Sequence, residues 1–195
     1  MPSFETIAVV ALAGLALSAS PGPSMLYVLS RSIGQSRNAG LISAAGLATG
    51  GVVLALATAF GLAALLSASP LAYKVVQYAG AAYLVYLGYD LIASKDDTRG
   101  ELEAVNAASL WRIFYQGVLV EILNPKTMLF FLAFIPQFID QDRGSFTLQM
   151  LVLGVLVPLT AVPSDLIVAT AGGTLADRLA RRRKSQILLK WGGGL

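Results

Sequence analysis

The stretch "SASPGPSML" (18–26) places two prolines and a glycine within an apolar segment that is long enough to cross a lipid bilayer. A proline removes one backbone donor and clashes with the preceding turn, and the hydrocarbon core has no water to satisfy the groups that are freed. This break therefore predicts either a kink that shapes a helix bundle or a helix that restarts inside the membrane.

The composition is that of a membrane protein. Hydrophobic residues make up 56% of the chain and charged residues 13%, with a mean hydropathy of +0.70, whereas soluble domains carry roughly 25% charged residues. Several apolar stretches exceed the roughly 20 residues that a spanning helix needs. They lie at about 5–30, 40–66, 71–93, 113–139 and 146–171. We therefore predict an all-α, polytopic integral membrane protein.

The positive charges favour six transmembrane helices with the N-terminus outside. In that arrangement the cytoplasmic loops hold eleven of the 14 Lys and Arg residues and the external loops hold two, as the positive-inside rule requires. The final stretch, "SQILLKWGGGL" (185–195), is too short to cross, so either the sixth helix is cut off or this end lies at the interface. An arrangement of five spans with the N-terminus inside assigns the same charges to the cytoplasmic and external loops, so it remains an alternative. The N-terminus lacks the basic region of a secretory signal, so we expect the first helix to be retained.

A short repeat relates the two halves of the chain. "PGPSMLYVL" (21–29) aligns with "NPKTMLFFL" (124–132), with Met opposite Met, Ser opposite Thr and Tyr opposite Phe. Copies of a three-helix unit insert with opposite orientation, which is the inverted-repeat plan of secondary transporters. We predict a first repeat at 1–93, a cytoplasmic connector loop at 94–111 and a second repeat at 112–195.

Both breaks match the start of a helix. In Ser20–Pro21 and in Asn124–Pro125, an N-cap residue precedes a proline at the first helical position. Helix N-termini offer free N–H groups and partial positive charge to an anion such as a carboxylate. The predicted substrate-binding residues are Pro21, Gly22, Pro23, Ser24, Asn124, Pro125, Lys126 and Thr127. For either motif taken alone, a simple proline kink is the alternative.

Three charged residues fall clearly inside the predicted spans, away from the span ends: Glu121, Lys126 and Asp165. Ionisable groups are costly there and are functional candidates by default. We expect Lys126 to pair with one of the acids or to bind a substrate carboxylate. We expect Glu121 or Asp165 to bind a substrate ammonium group or to carry a coupling proton. The alternatives are a structural ion pair and a Lys126 side chain that extends to the interface. "PSD" (163–165) predicts a further proline break in the fifth span.

Other features exclude several classes of function. The chain has no Cys and no His, which excludes disulfides, thiol redox chemistry and thiolate metal sites. A lipid-modifying enzyme would need clustered acids and histidines for a metal at the membrane surface, and the loops have none. We therefore predict no catalytic residue, no metal site and no cofactor.

The basic run at 181–183 fits topology and anionic lipid better than nucleic acid. Gly46 and Gly50 predict close helix packing.

The chain resembles the LysE/RhtB translocators, bacterial exporters of lysine, homoserine, threonine and related amino acids. Three stretches carry the resemblance: "SPGPSMLYVLSRSIGQSRNAGLISAAGLATG" (20–50), "GAAYLVYLGYDLI" (80–92) and "GVLVEILNPKTMLFFLAFIPQF" (117–138). The proline motifs of the family map onto Pro21, Gly22 and Pro23, and onto Asn124, Pro125 and Lys126.

The resemblance implies a six-span exporter in the bacterial cytoplasmic (inner) membrane, driven by the proton gradient. Its partners would be a small amino-acid substrate, protons and membrane lipid, with no nucleic acid. An exporter of another small solute or of a metal ion on the same architecture is the alternative. The sequence leaves open whether the protein forms a homo-oligomer.

Overall fold

This computed structural model describes residues 1–93 and 107–192, and that part of the chain is built from helices without a strand. The predicted all-α fold is confirmed. In chain order the helices are α1 (Phe4–Ala19), α2 (Pro23–Gly34), α3 (Arg37–Ala68), α4 (Pro70–Ala93), α5 (Leu110–Ile122), α6 (Pro125–Leu129) and α7 (Phe146–Gly192). A π-helical turn and two 3-10 turns link α6 to α7, at Phe130–Phe134, Ile135–Phe138 and Gln141–Arg143.

Two helices in the described residues are long and apolar enough to cross a membrane, α3 and the Phe146–Ala176 part of α7. Two bent pairs reach that length when each is taken as one span. They are α1 with α2, bent by 52°, and α5 with Pro125–Phe138, bent by 46°. Both predicted helix breaks are therefore present, in a chain with up to four candidate spans by this measure. Most of the predicted connector, 94–106, lies outside the described residues.

The last helix differs from the prediction in two ways. α7 continues without interruption to Gly192, so the described residues contain no sixth helix set off from the fifth by a turn. The predicted break at "PSD" is wrong, because α7 runs through both Pro158 and Pro163. A buried helix tolerates proline where neighbouring helices and Ser or Thr side chains satisfy the backbone.

α3 is the central helix and packs against α2, α4, α5 and α7. The predicted close packing at Gly46 and Gly50 is confirmed. A Cβ atom at Gly46 would overlap the Phe114 carbonyl oxygen of α5, and one at Gly50 would lie 2.8 Å from the Glu121 Cβ. On another side of α3, Gly51 contacts Pro158 of α7. Glycine at these positions brings α5 and α7 close enough to α3 to place Glu121 and Pro158 around one space.

We expect Gly46→Ala to destabilise the protein. The added methyl group would force α3 and α5 apart, at a cost of about 1–3 kcal/mol. Gly61→Ala is the matched control, because Gly61 lies on the same helix with nothing within 4 Å of an added Cβ, and alanine favours a helix over glycine. Thermal unfolding in detergent should show a lower midpoint for Gly46→Ala alone. Equal midpoints for the two variants would contradict the packing described here.

Candidate functional site

The first break lies between α1 and α2. Its sequence predicted a helix start at Pro21 with Ser20 as N-cap, and this is wrong: α2 begins at Pro23 and Gly22 is the N-cap. A residue before proline is disfavoured in the helical region, so Gly22 is extended, with φ −168° and ψ 179°. The helix cannot begin before Pro23. Ser20 ends α1 instead, and its hydroxyl donates to the Leu17 carbonyl at 3.1 Å.

The second break follows the prediction. Asn124 is the N-cap of α6, with Pro125 at the first helical position. The Asn124 Oδ1 accepts a hydrogen bond from the Lys126 backbone N–H at 3.1 Å. The carbonyl of Glu121, which Pro125 would leave without its helical partner, accepts from the Asn124 N–H at 3.2 Å. The backbone of this break is thus satisfied locally.

Side chains of each break bind the other break. The Asn124 Nδ2 donates to the Ser24 Oγ at 2.8 Å, and the Ser24 hydroxyl donates to a Glu121 carboxylate oxygen at 2.5 Å. The Lys126 Nζ donates to the Ser20 carbonyl at 2.8 Å and to the Ser20 Oγ at 2.6 Å. Residues about 100 positions apart in the chain are therefore joined by hydrogen bonds at the centre of the bundle.

A cavity of about 50 Å³ borders both breaks, enough for a few water molecules. Most of the residues that the sequence predicted for the site line it: Gly22, Ser24, Glu121, Asn124, Lys126, Thr127 and Asp165. Pro21, Pro23 and Pro125 do not line it, and their rings are exposed on the surface of the bundle. These prolines shape the breaks, while the residues beside them face the cavity.

The charged residues of the cavity have different surroundings. Among the described residues the Lys126 ammonium forms no ion pair within 4.0 Å, and its hydrogen bonds go to Ser20. It does not pair with an acid, so the ion-pair interpretation is wrong, and its side chain lines the cavity. The Asp165 carboxylate borders the cavity without a hydrogen bond or ion pair to any described residue. Glu121, by contrast, is held by Ser24.

Sequence reasoning missed part of the lining. Ser18 and Ser20 line the cavity from the end of α1, and their place in the proline stretch could have suggested them. The apolar lining had no local signal, because its residues resemble every other apolar residue of the spans. These residues are Gly14, Leu17, Met25, Leu47, Ala48, Gly51, Phe131, Val157, Pro158 and Ala161.

A second set of hydrogen bonds joins α2 to the start of α5, and we term it the α2–α5 cluster. Its members are Tyr27, Arg31 and Gln35 on one side and Ala108, Ile113 and Gln116 on the other. The Tyr27 hydroxyl donates to the Ile113 carbonyl at 2.8 Å, and the Arg31 guanidinium to the Gln116 Oε1 at 2.8 Å. The Gln35 amide donates to the Ala108 carbonyl at 2.7 Å and accepts from its N–H at 3.1 Å. Tyr27 and Arg31 are one turn apart on the same face of α2, and Gln35 is the C-cap residue that follows this helix.

A family model described as LysE type translocator matches residues 15–195. The chain belongs to the LysE type translocator family. With the candidate spans, this membership makes it a multi-pass membrane protein.

Several named relatives are similar to this LysE-family chain. A leucine efflux protein of Salmonella typhimurium is 32% identical over 120 residues, which are 62% of this chain and 57% of the relative. The chain thus spans little more than half the length of that relative. A homoserine/homoserine lactone efflux protein of the same species is 33% identical over 91% of this chain and 84% of the relative. A leucine efflux protein of an Enterobacter species is 30% identical over 90% and 82%. No solved structure matches significantly.

In this LysE-family chain we expect Asn124→Ala to be markedly destabilising. The change removes the cap of α6 and the bond to Ser24 together, with a combined cost of about 1–3 kcal/mol. Asn124→Ser separates the two losses, because serine is a good N-cap but is too short to replace the amide donor. Unfolding in detergent should rank the variants with wild type highest, serine next and alanine lowest. Alanine at wild-type stability would contradict this account of Asn124.

Proposed function

We propose that this protein is a secondary transporter that exports small amino acids or close derivatives from the bacterial cytoplasm in exchange for protons. The observation that carries the proposal is the cavity between the two helix breaks, lined by one ammonium group and two carboxylates. A zwitterionic amino acid offers the complementary carboxylate and ammonium groups. The efflux names of the Salmonella and Enterobacter relatives support the same class of substrate.

We assign the substrate carboxylate to Lys126 and the N-terminus of α2. The Lys126 Nζ already donates to two Ser20 oxygens, and a carboxylate that takes over these bonds adds an attraction between full charges. Gly22 lies directly beside this ammonium, since a Cβ there would be 3.4 Å from Nζ. Gly22 supplies no side-chain cap, so the first N–H groups and the positive end of α2 are available to the same anion.

We assign the substrate ammonium to Glu121. Its carboxylate accepts from the Ser24 hydroxyl, and a substrate ammonium would replace that hydroxyl with a charged donor. Asn124 and Thr127, both buried beside Glu121, complete the polar wall. In this proposal Pro21, Pro23 and Pro125 contribute by breaking the helices and not by contact with the substrate.

Asp165 is our candidate for the coupling proton. It borders the same cavity as Lys126 and Glu121, and it has no hydrogen-bond partner among the described residues. A carboxyl group in that position is free to bind a proton in one access state and to release it in the other. Proton uptake from outside and release to the cytoplasm would then be linked to export.

The transport cycle that we propose follows the inverted-repeat plan. Residues 1–93 and 112–195 form the two repeats, connected by a cytoplasmic loop at 94–111, and they move against each other around the cavity. The protein would lie in the inner membrane of a bacterium, with Lys and Arg concentrated on the cytoplasmic side. Its work would be translocation and not catalysis.

The decisive experiment is efflux from proteoliposomes. Vesicles containing the purified protein would be preloaded with each of the twenty amino acids or with homoserine, and release would be followed with and without an inward proton gradient. We expect release of at least one amino acid and faster release with the gradient. Release of divalent cations in place of any amino acid would favour the metal-ion alternative, and release of nothing from folded protein would overturn the proposal.

We expect Asp165→Asn to uncouple export from the proton gradient. Asparagine keeps the size of the side chain but cannot carry a proton, so the gradient should no longer accelerate efflux, while exchange of labelled for unlabelled substrate continues. Asp142→Asn, on an exposed turn, is the matched control and should behave as wild type. Gradient-driven efflux that persists in Asp165→Asn would assign the proton to another group.

The α2–α5 cluster is well placed to act as the cytoplasmic gate. It begins about 5 Å beyond Ser24 along α2 and ends about 16 Å beyond it, so it lies between the cavity and the end of the bundle that the predicted topology places toward the cytoplasm. An exporter must open on that side to load its substrate. We therefore propose that α2 and α5 separate there in the inward-open state.

A cysteine pair tests this gate without background, because the chain contains no cysteine of its own. We expect a short thiol-reactive crosslinker across Gln35→Cys and Ala108→Cys to reduce efflux to the level of empty vesicles, because α2 can no longer leave α5. A reducible crosslinker should allow full recovery, and in each single variant the reagent should leave efflux at its untreated level. Full efflux with the crosslink in place would show that the cycle does not require this separation.

A further inference from the structure

A second space, a groove of about 510 Å³, lies between α2 and α5. We term it the α2–α5 groove; it shares only Asn124 with the lining of the cavity between the breaks. We propose that this groove binds an anionic phospholipid, with the headgroup phosphate at Arg31 and an acyl chain along the leucines of α5. The proposal concerns a site outside the cavity and does not depend on the proposed function.

Hydrogen bonds between α2 and α5 establish which lining residues are level with each other. Arg31 donates to Gln116 at one end, and Asn124 donates to Ser24 at the other, so the two helices run antiparallel. Pro23 precedes Ser24 in the chain and also lines the groove. The groove therefore extends from Arg31 and Gln116 to Pro23 and Asn124, over about 12 Å along α2.

The Arg31 end carries a positive charge that is largely shielded from solvent. Arg31 is 9% exposed. Its guanidinium donates to the Gln116 Oε1 at 2.8 Å, and its Cζ lies 5.7 Å from the centre of the Tyr27 ring. The described residues that line the groove include no carboxylate. Because a guanidinium combines a full charge with parallel N–H donors that match phosphate oxygens, this end suits a headgroup phosphate.

The rest of the groove is mainly apolar and opens on the outer surface of the bundle. Leu119, Val120 and Leu123 line it from one face of α5. Leu119 is 56% exposed and Leu123 is 68% exposed, and the rings of Pro23 and Pro125 are exposed beside them. In a membrane protein, acyl chains cover such a surface, because lipid tails are as apolar as leucine. This part of the groove therefore suits an acyl chain.

Two exposed aromatic residues indicate the depth of the Arg31 end in the membrane. Trp111 and Tyr115 stack at the start of α5, with ring centroids 5.8 Å apart, and both side chains are exposed. Exposed Trp and Tyr collect at the level of the lipid headgroups. Gln116 lies about 7.5 Å from Trp111 along the helix. Arg31, which is bonded to Gln116, is therefore close to the depth of the lipid phosphates.

The combination of the two parts selects a phospholipid. A soluble phosphate would use the Arg31 end and leave the apolar wall without a ligand, whereas a hydrocarbon chain alone would gain nothing from the guanidinium. Basic pockets between transmembrane helices on the cytoplasmic side bind anionic headgroups, and the predicted topology places Arg31 on that side. A lipid in this groove contacts both α2 and α5, so its binding stabilises the contact between them.

The test of the headgroup is lipid retention, measured by native mass spectrometry. The purified protein would be released from micelles that contain equal amounts of dioleoyl phosphatidylglycerol and dioleoyl phosphatidylcholine. We expect one retained lipid, with phosphatidylglycerol favoured about fivefold. Arg31→Gln should remove this preference because it removes the charge. Arg178→Gln is the matched control, since Arg178 is an exposed arginine of α7 that does not line the groove, and it should keep the preference.

A second pair of variants tests the acyl chain and leaves the Arg31 end intact. Leu119→Trp places a larger side chain in the apolar part of the groove and should reduce retention of both lipids severalfold. Leu159→Trp is its control, because Leu159 is 61% exposed on α7 and lies outside the groove. Retention by Leu159→Trp should equal that of wild type. This pair keeps the proposal testable if Arg31→Gln does not fold.

Three results would overturn the proposal. Equal retention of the two lipids by wild type would show that no anionic headgroup is selected. Wild-type retention by both Arg31→Gln and Leu119→Trp would place the lipid elsewhere on the protein. Displacement of phosphatidylglycerol by free glycerol phosphate would assign the groove to a soluble anion. Because retention is measured without transport, each result leaves the proposed function to its own experiment.

Discussion

The constraint on which the structure depends is that a helix interrupted inside a membrane must find partners for its freed polar groups within the protein. Water is absent from the hydrocarbon core, so an open backbone group there costs several kcal/mol. This chain meets the constraint by joining its two interruptions. The Asn124 amide caps α6 with its oxygen and reaches Ser24 with its nitrogen, while Lys126 binds the end of α1. The second break satisfies its own backbone locally, and its Lys126 side chain provides a donor for the Ser20 carbonyl of the first break.

The same bonds explain how a polar cavity persists in an apolar bundle. The two charged groups that face the cavity from the breaks are held by partners that a zwitterion could replace in kind: hydroxyl and carbonyl oxygens at Lys126, and a hydroxyl donor at Glu121. In such an exchange Lys126 and Glu121 each keep a hydrogen-bond partner and gain an opposite charge. A carrier needs this property, because its site must be stable both before and after the substrate leaves.

Local chemistry in the sequence was sufficient to predict the breaks, the Asn124 cap, the glycine packing of α3 and the charged lining. Each of these depends on residues within one or two turns. The start of α2 at Pro23 was missed because two prolines compete and the second restricts Gly22. The continuity of α7 through Pro163, the contact of Lys126 with Ser20 and the apolar lining depend on helices that are distant in sequence. Periodicity and motif carry no information on those contacts.

Gly22 gives the two halves of the chain unequal helix termini. The start of α6 is occupied by its own asparagine, whereas the start of α2 has a residue that cannot fold back on it. A pseudo-symmetric scaffold with two equivalent helix N-termini would bind a dipolar solute equally well in either of its two orientations. Here the start of α2 has no side-chain cap and the start of α6 is capped by Asn124, so in the proposed site a dipolar solute would bind in one orientation along the membrane normal. The two helix breaks therefore differ in their capacity to bind an anion, although their sequences align.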